Sequence, residues 1–157
     1  MPELITFEDT WTTFQGMQTM VRCTASPHRD VATKHDKRTA LSVSICNNWE
    51  GPASRMVLQG YCYAIEFVRT SPASSTASAS SSASSSAEVC VADLIESRDH
   101  VIHDFIHKIA RILVLKYHRP CYVQLATAAA ASDDALGASD QINLLQKITQ
   151  CIDNHTV

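Results

Sequence analysis

Glycine is scarce here, with four in 157 residues (Gly16, Gly51, Gly60, Gly137). That count leaves no Gly-rich loop able to cradle a phosphate, and no Gly-x-Ser-x-Gly elbow occurs for a hydrolase nucleophile. Charge of either sign is not in excess. The formal net charge is −3, and the longest basic run, Lys34-His35-Asp36-Lys37-Arg38, is broken by an acid. Nucleic acid and anionic membranes are therefore not expected as main partners. No apolar run approaches the roughly 20 residues of a membrane span. The opening MPELITFEDTWTTFQ carries Glu3, Glu8 and Asp9 but no basic or apolar segment of signal type. The six cysteines are widely spread, and none forms Cys-x-x-Cys. A cytosolic or nuclear protein with reduced thiols is expected, the cysteines serving as small apolar side chains in or beside the core.

The apolar fraction is 45%, enough for an ordered core in a chain of this size, which buries roughly 68–70% of its unfolded surface. One domain over residues 1–157 is expected. From Gly16 a strand runs over Met17 to Thr24, with Met17, Thr19, Val21 and Cys23 on one face. Leu41, Val43 and Ile45 alternate with Ser42, Ser44 and Cys46, the cleanest period-two signal in the chain. A strand region spans Met56 to Arg69, in which Gly60 marks a bulge or bend, and Tyr61, Tyr63, Ile65 and Phe67 alternate after it. Residues 70–87, nearly all Ser and Ala, cannot bury enough apolar surface to offset the entropy of ordering. They read as a disordered loop joining this strand to another over Glu88 to Ile95. A helix over Asp99 to Tyr117, capped by Ser97 or Asp99, ends before Arg119-Pro120. A short strand, Cys121 to Thr127, precedes a last helix capped by Ser139, with Ile142, Leu145, Ile148 and Ile152 on one side. Strands first, then helix, strand, helix predict an α+β fold: an antiparallel sheet packed with two helices.

The stretch RDHVIHDFIHK, residues 98–108, holds three histidines. On a helical wheel Ile102, Phe105, Ile106, Ile109, Ile112 and Leu113 form the stripe to be buried. His100, His103 and His107 gather on nearly the opposite side, with Arg111 and Asp104 near. His103 and His107 have the i, i+4 spacing of a zinc pair, but a metalloprotease motif needs Glu where Asp104 stands. Ligands opposite the core lie in a cleft only if another chain covers them. The expected reading is a solvated or partner-facing helix side, with no metal, no cofactor and no catalytic group. Asp133-Asp134 sits in an Ala-rich loop and reads as solubilising; Trp11, Trp49 and Tyr122 read equally as core or interface anchors. No catalytic constellation is found, and the sequence reads as a binding domain.

Three stretches carry a family resemblance: GMQTMVRCTASPH (Gly16 to His28), TALSVSICN (Thr39 to Asn47) and VADLIESRDHVIHDFIHKIARIL (Val91 to Leu113). They resemble the proteasome assembly chaperone 3 family, the partner of proteasome assembly chaperone 4. Ile102, His103 and Phe105 match the family's Ile-His-x-Phe helix opening. The Ser-rich loop falls where the family has a Pro/Ser-rich hairpin connection, and QINLLQKITQCI falls at its terminal helix. The resemblance runs in order over most of residues 11–153. Longer loops at Pro27 to Arg38 and in the Ser/Ala segment, and an extra turn around Trp49 to Ser54, depart from it. It implies a non-enzymatic chaperone that pairs with a related chaperone 4-like subunit and holds α-type 20S proteasome subunits during α-ring assembly, leaving before the particle matures. No residue role transfers by motif. His100, His103, His107 and Arg111 are the expected partner-facing patch, from their position on the helix alone. The alternative is a small dimeric α+β adaptor of another pathway.

Overall fold

A computed structural model describes residues 4–13, 16–25, 39–51, 55–68, 87–129 and 137–156. The Ser/Ala segment from residue 70 to 86, the basic loop and the Asp133-Asp134 pair lie outside the described residues. Six strands form one sheet: β1 (Ile5–Thr12), β2 (Gln18–Ala25), β3 (Leu41–Asn47), β4 (Met56–Val68), β5 (Ala87–Ile95) and β6 (Cys121–Ala128). Helix α1 (His100–Tyr117) lies between β5 and β6, and α2 (Ala138–Thr156) follows β6. The expected α+β fold with two helices is therefore the observed one. The strand order is β1-β2-β3-β6-β4-β5. All neighbours are antiparallel except β3 and β6, which run parallel from Leu41↔Cys121 to Asn47↔Thr127. The parallel pair is one that a reading of local periodicity does not supply. It arises because β5–α1–β6 crosses over β4, placing β6 between β3 and β4.

Alternation decides which face is covered. Val21, Cys23, Val43, Ile45, Cys62, Ala64, Val123 and Leu125 point to the helices and are at most 1% exposed. They form one core with Phe105, Ile106, Ile109 and Leu113 of α1 and Leu144, Ile148 and Ile152 of α2. Both helices thus cover the same face. The other face carries Ser42, Ser44, Tyr61, Tyr63, Tyr122 and their neighbours and has no covering element among the described residues.

Helix α1 is bounded as its sequence predicts, with the capping choice now settled. Asp99 has extended φ and ψ (−94°, 117°), and its carboxylate accepts the Val101 N–H at 2.8 Å. Ser97 Oγ in turn accepts the Asp99 N–H at 3.2 Å. His118 closes the helix in the left-handed region (φ 53°), its N–H donating to Val114 O. In α2 the expected cap fails: Ser139 lies inside the first turn, because the helix begins at Ala138. The expected stripe shifts as well. Ile142 is 58% exposed, while Leu144, Ile148, Cys151 and Ile152 are buried. The apolar residues of α2 fit two overlapping stripes, and packing against β1, β2 and α1 selects one.

Strand β1 is not expected from the sequence. Ile5, Phe7 and Trp11 alternate with Thr6, Glu8, Thr10 and Thr12, but Asp9 interrupts the apolar side, only Phe7 is buried, and Glu8 and Asp9 are poor strand formers. Its pairing with β2 over eight positions, from Ile5↔Ala25 to Thr12↔Gln18, creates it.

Gly60 of β4 is a matter of space, since its backbone is not left-handed. A Cβ there would lie 2.8 Å from Ile106 Cδ1 and 3.4 Å from Ser97 Cβ. The register shift between Leu58 and Gly60 in the β4–β6 pairing is the expected bulge. Gly60→Val should lower stability by about 1–3 kcal/mol through overpacking beneath α1. Urea unfolding would measure this, and an unchanged midpoint would contradict the close approach.

Candidate functional site

Two surfaces carry functional potential. The first is the uncovered sheet face. Tyr61 and Tyr63 of β4 project from it beside Tyr122 of β6, with ring centroids 6.0 and 4.7 Å from that of Tyr122. Further along β4, Ile65 and Phe67 are 39% and 41% exposed, and Ile65 pairs with the exposed Cys90 of β5. Towards β1 the same face turns polar. Gln124 Nε2 donates to Ser44 Oγ at 2.8 Å, and the opposed pair Arg22 and Glu8 forms an ion bridge of 2.6 Å. The face is thus half aromatic and aliphatic and half hydrogen-bonding.

The second surface is the edge where α1 passes β5. The strand pairs Tyr61↔Ile95 and then Cys62↔Asp93, which leaves Leu94 as an extra residue. This β-bulge keeps Asp93 on the helix side, in phase with Val89 and Val91. There Asp93 meets two of the expected histidines. Imidazole Nε2 of His107 donates to Asp93 Oδ1 at 2.6 Å, and Nε2 of His103 donates to Oδ2 at 3.2 Å. The two ring centroids lie 4.1 Å apart with their planes tilted by 36°, and His103 Nδ1 lies 3.4 Å from Asp104 Oδ1. The wheel placed both histidines nearly opposite the core, and here the structure corrects it. Ala110 and Val114 are fully buried whereas Ile102 and Ile112 are only half-buried, so the covered arc is rotated towards the histidines. His103 and His107 are flanking, half-buried residues. His100 and Arg111 are exposed.

The sequence reading missed Asp93. Its one signal is an acid at an inward strand position shortly before a helix bearing histidines. Its ligand atoms and those of His103 and His107 all lie within 4.8 Å of one another, a donor set able to hold a metal ion. Partial desolvation by the helix opposes the Asp93 charge, but hydrogen bonds from His107 and His103 outweigh it and hold the carboxyl below its ordinary value of 3.8. Hydrogen bonds to Asp93 and then Asp104 hold His103 above 6.5. The carboxylate's contribution to stability is present above about pH 4 and is lost as pH falls through its lower folded value. The His103 contribution is complete below about 6.5 and is lost as pH rises through its higher folded value. In chelator-treated protein, the stability lost by Asp93→Asn should be greatest near pH 5 to 6 and smaller at pH 8.5. Denaturant titrations at the three values would check this; an equal loss throughout would show that the pair is not linked to protonation.

The cysteines follow expectation except at one position. Cys23, Cys62, Cys121 and Cys151 are buried, Cys46 is half-buried and Cys90 is exposed. Burial pushes the Cys62 thiol up to about 12 and raises the Cys23 and Cys121 thiols further, so these groups stay protonated.

Residues 3–153 match the family model of 20S proteasome chaperone assembly proteins 3 and 4. The chain belongs to this family. It is a member of the group of proteasome assembly chaperones, which takes in the third and fourth chaperones together. Among solved structures it is similar to a chain from yeast, in a crystal structure of a novel chaperone complex for yeast 20S proteasome assembly. The identity is 19%, the TM-score 0.67, and 98% of each chain is covered. At that identity the likeness speaks for the fold. No curated protein sequence matches the chain.

Proposed function

We propose that this family member is a non-enzymatic chaperone that pairs with a related small subunit through its uncovered sheet face. It then holds α-type 20S proteasome subunits in the cytosol or nucleus while the α-ring forms, and departs before the particle is mature. The single observation that carries the pairing is that face. It combines clustered tyrosines with exposed Ile65 and Phe67 beside a hydrogen-bonding half. Aromatic anchors within a polar surround are the composition of a specific protein interface. The family and the fold of a chain taken from a chaperone complex support the same reading. On the helix side, exposed His100 and Arg111 are offered for contact with an α-type subunit. His103 and His107, turned towards Asp93, join that patch only at its edge.

The test is a gentle pull-down of the protein from its own cells, read by mass spectrometry. Enrichment of α-type proteasome subunits with a second small chaperone, and little mature protease core, is the expected result. Enrichment of unrelated proteins without proteasome subunits would overturn the reading.

A further inference from the structure

We propose that Asp93, His103 and His107 form a binding site for a divalent transition-metal ion, of which zinc is the physiological candidate. Bound there, the ion would staple strand β5 to helix α1. The site is built from two elements. The i, i+4 spacing on α1 sets two imidazoles side by side, tilted to each other, with their Nε2 atoms towards the strand, and the bulge at Leu94 presents a carboxylate to both. Ligands of a tetrahedral zinc, at about 2.0–2.2 Å from the ion, stand about 3.3 Å apart. The carboxylate oxygens already stand 3.2 and 2.6 Å from the two Nε2 atoms, and no pair of ligand atoms exceeds 4.8 Å. Small side-chain rotations suffice to admit the ion.

The donor chemistry selects the class of ion. Two imidazoles and one carboxylate suit zinc and its neighbours, whereas calcium and magnesium require a shell of oxygens. On binding, each Nε2 gives up its hydrogen bond to Asp93 and coordinates through its lone pair. The ring proton then resides on Nδ1, and any imidazolium releases its extra proton to solvent. For His103 this places an Nδ1–H beside the Asp104 carboxylate, 3.4 Å away. Such an outer partner fixes the tautomer and strengthens the ligand. Asp104 thus supports the ion from outside, without being the water-activating glutamate that its place in the sequence invites. The crevice behind the three side chains, lined by Tyr61, Ile95, Ser97 and Ile106, leaves no room for a water molecule. The fourth position therefore faces outward, where solvent water can fill it.

The experiment uses the full chain without an affinity tag, stripped by chelator and titrated with Zn²⁺ by calorimetry. One ion per chain with micromolar affinity is expected. His103→Ala, His107→Asn and Asp93→Ala should each weaken it by more than about 10-fold, and Cys90→Ser should leave it unchanged. At a free zinc concentration 100 times the dissociation constant, the folding equilibrium constant should rise about 100-fold. Co²⁺ added to the unaltered chain gives a readout that needs no variant. Visible bands of a four-coordinate ion without thiolate charge transfer are expected, together with shifted ring-proton resonances of two of the seven histidines. Absence of binding, thiolate charge transfer, or zinc affinity that survives His103→Ala with His107→Asn would overturn the proposal. The proteasome role stands or falls separately, by the pull-down.

Discussion

Ile109→Ala should lower the free energy of unfolding by about 3 kcal/mol, within the 2–5 kcal/mol typical of a buried isoleucine cut to alanine. Ile109 has no exposed surface and sits mid-helix, between Phe105 and Leu113 in the core of α1 against the sheet. Removing three carbons there leaves a cavity that the surrounding strands cannot close, because β4 and β6 are fixed by their own pairing. Against a total stability of about 5–15 kcal/mol for a domain, that loss is large. Ile142→Ala makes the informative comparison. The sequence sets Ile142 in the buried stripe of α2, yet it is 58% exposed, so its replacement should change stability by less than about 0.5 kcal/mol. Urea unfolding followed by circular dichroism measures both. Equal losses would show that α2 is rotated from the position described.

Replacing both Ile65 and Phe67 by aspartate should cost about 100-fold or more in affinity for the partner subunit while leaving the isolated chain folded. Both side chains are already about two-fifths exposed, so the monomer loses little. In a paired state the same positions would bury two unpaired carboxylates within an aromatic patch. Interface anchors of this kind are worth about 2 kcal/mol or more each, and each 1.4 kcal/mol is a factor of about ten. Leu115→Asp, on the exposed side of α1, is the control, at 47% exposure. Co-expression followed by size exclusion and calorimetry distinguishes the faces. Loss with the Leu115 variant and retention with the sheet variant would move the interface to the helices.

Much of the fold is legible because its signals are local. Leu41, Val43 and Ile45 alternate with small polar residues and become the fully paired centre of the sheet. Asp99 caps α1, and the turn before Pro120 ends it. Where two local solutions compete, packing decides. The apolar residues of α2 admit a stripe through Ile142 or one through Leu144, and only contact with β1, β2 and α1 selects the second. Strand β1 is weakly legible for another reason, as Asp9 breaks the alternation of Ile5, Phe7 and Trp11 and two adjacent acids disfavour a strand.

The candidate sites divide in the same way. The histidine series and the alternation from Tyr61 to Phe67 stand in the sequence, and so does the family resemblance. The chain by itself therefore determined the class of fold, the bounds of α1 and the residue types its surfaces would carry, because propensity and periodicity depend on neighbours a few positions away. Only the tertiary structure decided that β6 runs parallel to β3, that Asp93 meets His103 and His107, and that one face of the sheet is left uncovered. Those outcomes depend on how a crossover helix lies on a twisted sheet, and the free energy of that arrangement is a property of the whole core.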